Sequence, residues 1–209
     1  MKTVRIEFSK QGRAKYISHL DLTRMMTRAV RRASLPVWYT EGFNRHPYLT
    51  FAAPLSLGYE GLRETMDLRL IEDMDYLLLA ERLNSVMPEG FSILTAYEAV
   101  AKPRELTHAR YQLTTDCPVD DVRELLSSDQ ILVEKRTKKK EIKTIDIAPH
   151  FSGAEVVDGT MINVTLPCGG AETINPSLLF DALDSHTGGR WERGVVRTAL
   201  LQSDGSLFR

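Results

Sequence analysis

Cysteine is nearly missing from this sequence: Cys117 and Cys168 are the only two among 209 residues. Two cysteines make no disulfide framework, and they point to a reduced, cytoplasmic setting. They form no Cys-x-x-Cys pair, and no His-x-x-x-His pair stands in for one, so no metal site is expected. An iron–sulfur centre would need a cysteine cluster that the chain lacks. Long apolar runs are missing too, which argues against a membrane span. The opening MKTVRIEFSK has no apolar stretch of the kind that marks a secretory signal. Neither a G-x-x-x-x-G-K-[ST] phosphate loop nor a G-x-S-x-G nucleophile elbow is present. No cofactor is therefore expected in this chain, and any radical or redox chemistry would have to come from another protein.

What is present is a globular mixture, 43% apolar and 26% charged. The formal net charge of −1 hides an uneven distribution. Residues 1–50 carry ten Lys/Arg against three Asp/Glu, whereas residues 60–98 carry three against nine. A third block, KRTKKKEIK, runs from Lys135 to Lys143 and includes Lys138, Lys139 and Lys140. Local basic surfaces of this kind attract polyanions even when the whole molecule is neutral.

The hydrophobic pattern alternates between the two periods of regular structure. Val4, Ile6 and Phe8 predict a strand over Thr3–Phe8. Ser18 is a good N-cap for a helix in which Leu22, Met25, Met26, Ala29, Val30 and Ala33 share one stripe; Pro36 ends it near Ser34. Val37–Tyr39 begins a second strand that the Gly42–Pro47 loop interrupts and Tyr48–Ala53 resumes; Thr65–Ile71 alternates, Asp75 caps a helix to about Met87, and Phe91–Tyr97 is extended again. The second half repeats the plan. Strands are predicted over Ala109–Thr115, Ile131–Arg136, Ile142–Ile147, Met161–Leu166 and Arg193–Gln202, with helices after Pro118 and Asn175. Two successive runs on the β-α-β-β-α-β plan, the second with one extra extended piece beside the lysine-rich turn, predict an α+β fold of two tandem ferredoxin-like units with antiparallel sheets. The expected domains are 1–100 and 109–209, joined by a linker over 101–108.

The first helix carries the strongest chemical signal. Arg24, Arg28 and Arg31 share a face opposite the apolar stripe, with Arg32 at its margin, and no acid stands between Thr23 and Leu35. Guanidinium groups on one rigid face suit phosphate recognition. A solvated face is the competing reading, but such faces usually intersperse glutamates. The following segment, Glu41 to Gly61, places Phe43, Asn44, Arg45, His46 and Tyr48 around glycines and prolines. Aromatic faces beside cations are what single-stranded nucleic acid requires: stacking for bases and charge for the backbone. Phe43 and Phe51 could equally serve the core. His19 and His46 are weak candidates for an acid–base pair in RNA cleavage, with nothing in their spacing to bring them together.

The stretch KYISHLDLTRMMTRAVRRASLPVWYTEGFNRHPYLTFAAPLSLGYEG, Lys15 to Gly61, resembles the signature of a bacterial family of radical SAM-linked proteins of unknown function. The matching positions are Tyr16, Ser18, His19, Leu20, Asp21, Arg28, Arg31, Arg32, Gly42, Phe43, Asn44, His46 and Pro47, and weaker similarity continues over Lys139–Pro149. Arg45 stands where the family usually has proline. The resemblance implies a radical SAM protein as partner, in many members one with a cobalamin-binding domain, and an RNA-related setting. It supplies no catalytic residues. Three readings follow: an RNA-binding or substrate-presenting partner of a radical SAM enzyme, an RNA-processing enzyme using His19 and His46, and a purely protein-binding adaptor.

Overall fold

In the first strand, β1 (Lys2–Lys10), one row of side chains is Val4, Ile6 and Phe8 and the other is Arg5, Glu7 and Ser9, and both rows are buried. The structure is a computed structural model and describes residues 1–136, 142–159, 161–169 and 172–209. Helix α1 (His19–Arg32) follows a short 3-10 turn at Gly12–Tyr16. Strands β2 (Leu49–Phe51) and β3 (Glu60–Leu70), helix α2 (Tyr76–Asn84) and strand β4 (Phe91–Glu98) complete the first run. β1 pairs antiparallel with both β3 and β4, and β2 lies antiparallel on β3.

The apolar row packs under the helices. Val4, Ile6 and Phe8 join Met66, Leu68 and Leu70 of β3, Leu22, Met26 and Val30 of α1, and Leu79 and Leu83 of α2 in one core. Period-2 alternation in the strands meets the 3.6-residue stripe of the helices. Met26 is fully buried in it; truncating such a side chain to alanine costs about 2–5 kcal/mol. Gly90 lets the α2–β4 turn approach β1's end: at φ +84 its carbonyl accepts from Gln11, and a Cβ there would sit 2.7 Å from the Gln11 carbonyl oxygen.

The remaining elements are β5 (His108–Thr114), α3 (Val119–Leu126), β6 (Leu132–Arg136), β7 (Ile142–Asp146), α4 (Ala148–Phe151), β8 (Glu155–Val157), β9 (Met161–Pro167), α5 (Ser177–Thr187) and β10 (Gly194–Leu201). β9 pairs antiparallel with β5 and β8, while β6 and β7 form a separate two-stranded sheet. The fold is mixed α+β, mostly antiparallel, with five α-helices among the described residues. Two compact units comprise residues 1–106 with 197–209, and residues 107–196. The C-terminal residues thus count with the first unit, which contiguous halves of 1–100 and 109–209 do not capture.

Several predicted elements differ in detail. Val37–Tyr39 is no strand: only isolated bridges join Val37 to Leu70 and Tyr39 to Pro47. α4 and β8 are too short for a periodic signal. Asp146 organises the turn into α4, its carboxylate accepting from the backbone N–H groups of Ile131 and Ala148 at 2.9 and 3.0 Å.

Candidate functional site

The N-terminus of α1 is fixed by a reciprocal cap. The Ser18 hydroxyl accepts from the Asp21 backbone N–H at 3.2 Å and donates to the Asp21 carboxylate at 2.7 Å. That donated bond, with Arg24 as a lesser contributor, holds the Asp21 carboxyl below the usual carboxylate range. Arg24 is therefore not a free cation: it pairs with Asp21 at 3.3 Å. Burial of Leu22, Met26, Ala29 and Val30 fixes the rotation of the helix and turns Arg28, Arg31 and Arg32 outward. Among the described residues, no carboxylate is within ion-pair distance of any of these three. Arg28 and Arg32 border a groove of about 340 Å³ whose other walls include Met25, Val86, Met87 and Pro88.

Arg31 joins the helix to the glycine-flanked loop. Its guanidinium donates to the Arg45 carbonyl at 3.2 Å and lies 5.8 Å from the Tyr39 ring centroid. The loop is stapled from within. Thr40 N–H donates to the His46 carbonyl at 2.9 Å, and His46 N–H donates to the Thr40 hydroxyl at 3.3 Å. The His46 ring donates through Nδ1 to the Asn44 carbonyl at 2.9 Å. Gly42 takes φ +109, a value open to glycine and strained for other residues. Phe43 follows it with 108% relative exposure, so its ring makes no core contact. Asn44 and Arg45 are exposed beside it.

The predicted residues therefore divide. Arg28, Arg31, Arg32, Phe43, Asn44 and Arg45 are all solvent-facing, and the Arg31–Arg45 bond links the two elements that carry them. Tyr48 belongs elsewhere. It precedes β2, whose Leu49 and Phe51 face the core, so it sits on the reverse side of the sheet, with the Arg69 guanidinium 4.5 Å from its ring. Lys138, Lys139 and Lys140 lie outside the described residues.

The two histidines have separate surroundings. The His19 ring stands edge-to-face on Phe51 at 5.1 Å, and Phe51 in turn on Phe8 at 6.3 Å. Desolvation, with Lys10 adding a smaller effect, pushes the His19 pKa below its ordinary value. His46 serves its own turn through Asn44 and Thr40. Among the described residues, no group of three His, Cys, Asp or Glu is placed to hold a metal. Both cysteines are buried, and burial with neighbouring aspartates pushes the Cys117 thiol up, away from a nucleophilic thiolate.

Sequence reasoning passed over a buried polar cluster near the start of α1. Lys10 is 1% exposed, and its ammonium donates to the Ile17 carbonyl at 2.9 Å, bracing the turn before Ser18. Burial pushes the Lys10 pKa down, against the pull of Glu64. Glu64, also buried, accepts from both Nε and Nη2 of Arg197, and Arg197 also donates to the Ala53 carbonyl at 2.7 Å. The signal for Arg197 was its place in a buried row with Val195, Ala199 and Leu201, where a cation needs a partner.

Comparison with known proteins gives a family and a fold. Residues 3–176 match a family described as an uncharacterized protein conserved in bacteria (DUF2344). The chain belongs to this family. No curated protein matches it. Among solved structures, a chain from the crystal structure of a Cbf5-Nop10-Gar1 complex is similar, with a TM-score of 0.50 at 10% identity. The alignment covers 94% of this chain and 48% of that one, so the present chain spans about half the length of its structural relative. At such low identity the likeness concerns the fold alone.

Proposed function

We propose that this protein is a non-catalytic RNA-binding, substrate-presenting partner of a radical SAM enzyme, acting in RNA modification or ribosome-related metabolism. The observation that carries the reading is the bond from Arg31 to the Arg45 carbonyl, which holds a helix face of unpaired arginines against a loop with a fully exposed phenylalanine. Arg28, Arg31 and Arg32 take phosphates, Phe43 stacks on a base, and Asn44 orients it. Tyr48 has no part in this surface. The partner docks on the exposed apolar side chains Tyr16, Leu20 and Leu57; the bond from Gly58 N–H to the Lys15 carbonyl at 2.8 Å brings the Leu57 segment beside Tyr16. The same proposal takes the units as tandem ferredoxin-like repeats. In its support, the first has strand order β4-β1-β3 with β2 on β3, and the second contains the order β5-β9-β8.

The test is equilibrium binding of single-stranded RNA across a salt series. Three phosphate contacts predict a log–log salt slope of about −2. Changing Arg28→Glu and Arg31→Glu together is expected to weaken binding at least about tenfold and flatten the slope by about 1–2. Phe43→Ala is expected to weaken binding with the slope unchanged, since stacking releases no counterions. Wild-type affinity in the double arginine variant excludes this face as the RNA site.

A further inference from the structure

The reverse side of the first unit's sheet carries a second groove, of about 330 Å³, lined by Thr3, Tyr48, Thr50, Asp67, Arg69 and residues 99–103. Pockets for small ligands begin at about this size. Its polar groups are unequally engaged. Both oxygens of the Asp67 carboxylate are held by Arg5, through Nε at 2.7 Å and Nη2 at 2.8 Å. Asp67 is thus already neutralised and is no counter-ion for its neighbour.

That neighbour, Arg69, has an unusual set of contacts. Its guanidinium lies 4.5 Å from the Tyr48 ring centroid and 5.5 Å from that of Trp38, and those two rings are 5.7 Å apart. Among the described residues it has no carboxylate partner, and its side chain makes no hydrogen bond. Aromatic contacts orient the guanidinium and leave its edge N–H groups unspent, the fork that matches a carboxylate or phosphate. Lys102, also in the lining, adds an exposed ammonium without an ion pair among the described residues. Arg5, fully buried, bonds to two lining residues, Asp67 and the Ala101 carbonyl at 2.9 Å, yet its Nη1 has no partner. The hydroxyls of Thr3 and Thr50 are likewise uncommitted among the described residues. Ala99, Val100 and Pro103 supply the apolar wall.

We propose that this groove binds a small molecule bearing a planar or tetrahedral oxyanion, a carboxylate or a phosphate, on a short apolar or ring-containing body, with Arg69 as the anchor. The anion bonds to the Arg69 edge, Lys102 adds attraction, the threonine hydroxyls donate to the remaining oxygens, and the ligand body lies on the Val100 side. The ligand is distinct from the RNA of the other sheet face, and its binding does not depend on that reading.

The experiment titrates the 209-residue chain with benzoate, phenyl phosphate and the uncharged benzamide at constant ionic strength, reading affinity by calorimetry and location by backbone amide shifts. Benzoate or phenyl phosphate is expected to bind, with shifts centred on Thr50, Asp67, Arg69 and residues 99–103; which of the two binds identifies the anion as carboxylate or phosphate. Benzamide is expected to bind at least tenfold more weakly. Arg69→Met is expected to lose at least tenfold in affinity, and Arg69→Lys to fall between, keeping charge without the fork. The Arg28→Glu, Arg31→Glu double variant is expected to bind the probes as the wild type does. No binding of either anion, equal binding of benzamide, or shifts centred on α1 and Phe43 would each overturn the proposal. So would wild-type affinity in Arg69→Met. The shift map uses unaltered protein, so the test holds even if Arg69→Met folds poorly.

Discussion

His19 is exposed along part of its side chain, yet the side of its ring on Phe51 is shielded from water, which disfavours the charged form. Its ring is edge-on to Phe51, and desolvation together with Lys10 lowers its pKa from 6.5. The unfolded chain then binds more protons than the folded one between the lowered pKa and 6.5. Stability therefore falls as pH drops through that window and levels once the folded-state pKa is passed. His19→Asn removes the titrating group, so its thermal midpoint is expected to vary less than the wild type's between about pH 7.5 and 5.5, above the range where carboxylates dominate. Identical pH profiles for the two proteins would show that the ring is not desolvated as described. The same residue shows where sequence reading stops. A histidine after an N-cap invites an acid–base role, and only coordinates reveal that its neighbour is a phenylalanine and that His46 is occupied with the Asn44 carbonyl. Lys10 was still less visible, because it follows the apolar row of Val4, Ile6 and Phe8 at the strand's end, where a lysine reads as a solvated residue.

Helices were legible where period and cap agreed. α1 begins after Ser18 and ends at Arg32, close to the bounds that the stripe and Pro36 predict, because a 14-residue amphipathic segment leaves little freedom in rotation or length. α2 likewise begins after Asp75, whose carboxylate accepts from the Leu78 N–H at 2.9 Å. Asp75→Ala is expected to cost about 1 kcal/mol, read as a lower denaturation midpoint with an unchanged slope, and Asp75→Ser to recover most of it. No loss on Asp75→Ala would mean that packing of Leu79 and Leu83 alone sets the helix start. Strands were harder. Val37–Tyr39 has the composition of a strand but only bridge partners, and β8 has three residues. Pairing depends on what lies alongside, and three-residue windows carry no period. The arginines of α1 were legible because a helix face is a local property. The bond joining Arg31 to the loop was not, since nothing in the spacing of positions 31 and 45 specifies it.

At the scale of the whole chain, the organising fact is that the first unit is built from two separated pieces, residues 1–106 and 197–209. The consequence is energetic. Glu64 is buried and its counter-charge, Arg197, lies 133 residues away in sequence. Arg5 stacks 3.9 Å from the Phe208 ring, and the Ala101 N–H donates to the Arg209 carbonyl. A fragment ending at Leu106 would keep the buried carboxylate of Glu64 and lose the guanidinium that neutralises it. Removing one partner of a buried ion pair costs about 3–5 kcal/mol, a large part of the stability of a small domain. Residues 1–106 alone are therefore expected to be unfolded or marginal by circular dichroism and thermal melting. Joining residues 197–209 to Leu106 through a flexible Gly/Ser linker of about 20 residues is expected to restore a cooperative transition. Arg197→Met within that joined chain is expected to lower the midpoint again, and adding Glu64→Gln to recover part of the loss, because the uncompensated charge is then gone. A fragment of residues 1–106 that melts as cooperatively and as high as the joined chain would show that the returning segment is dispensable, and that Glu64 finds its compensation within those residues.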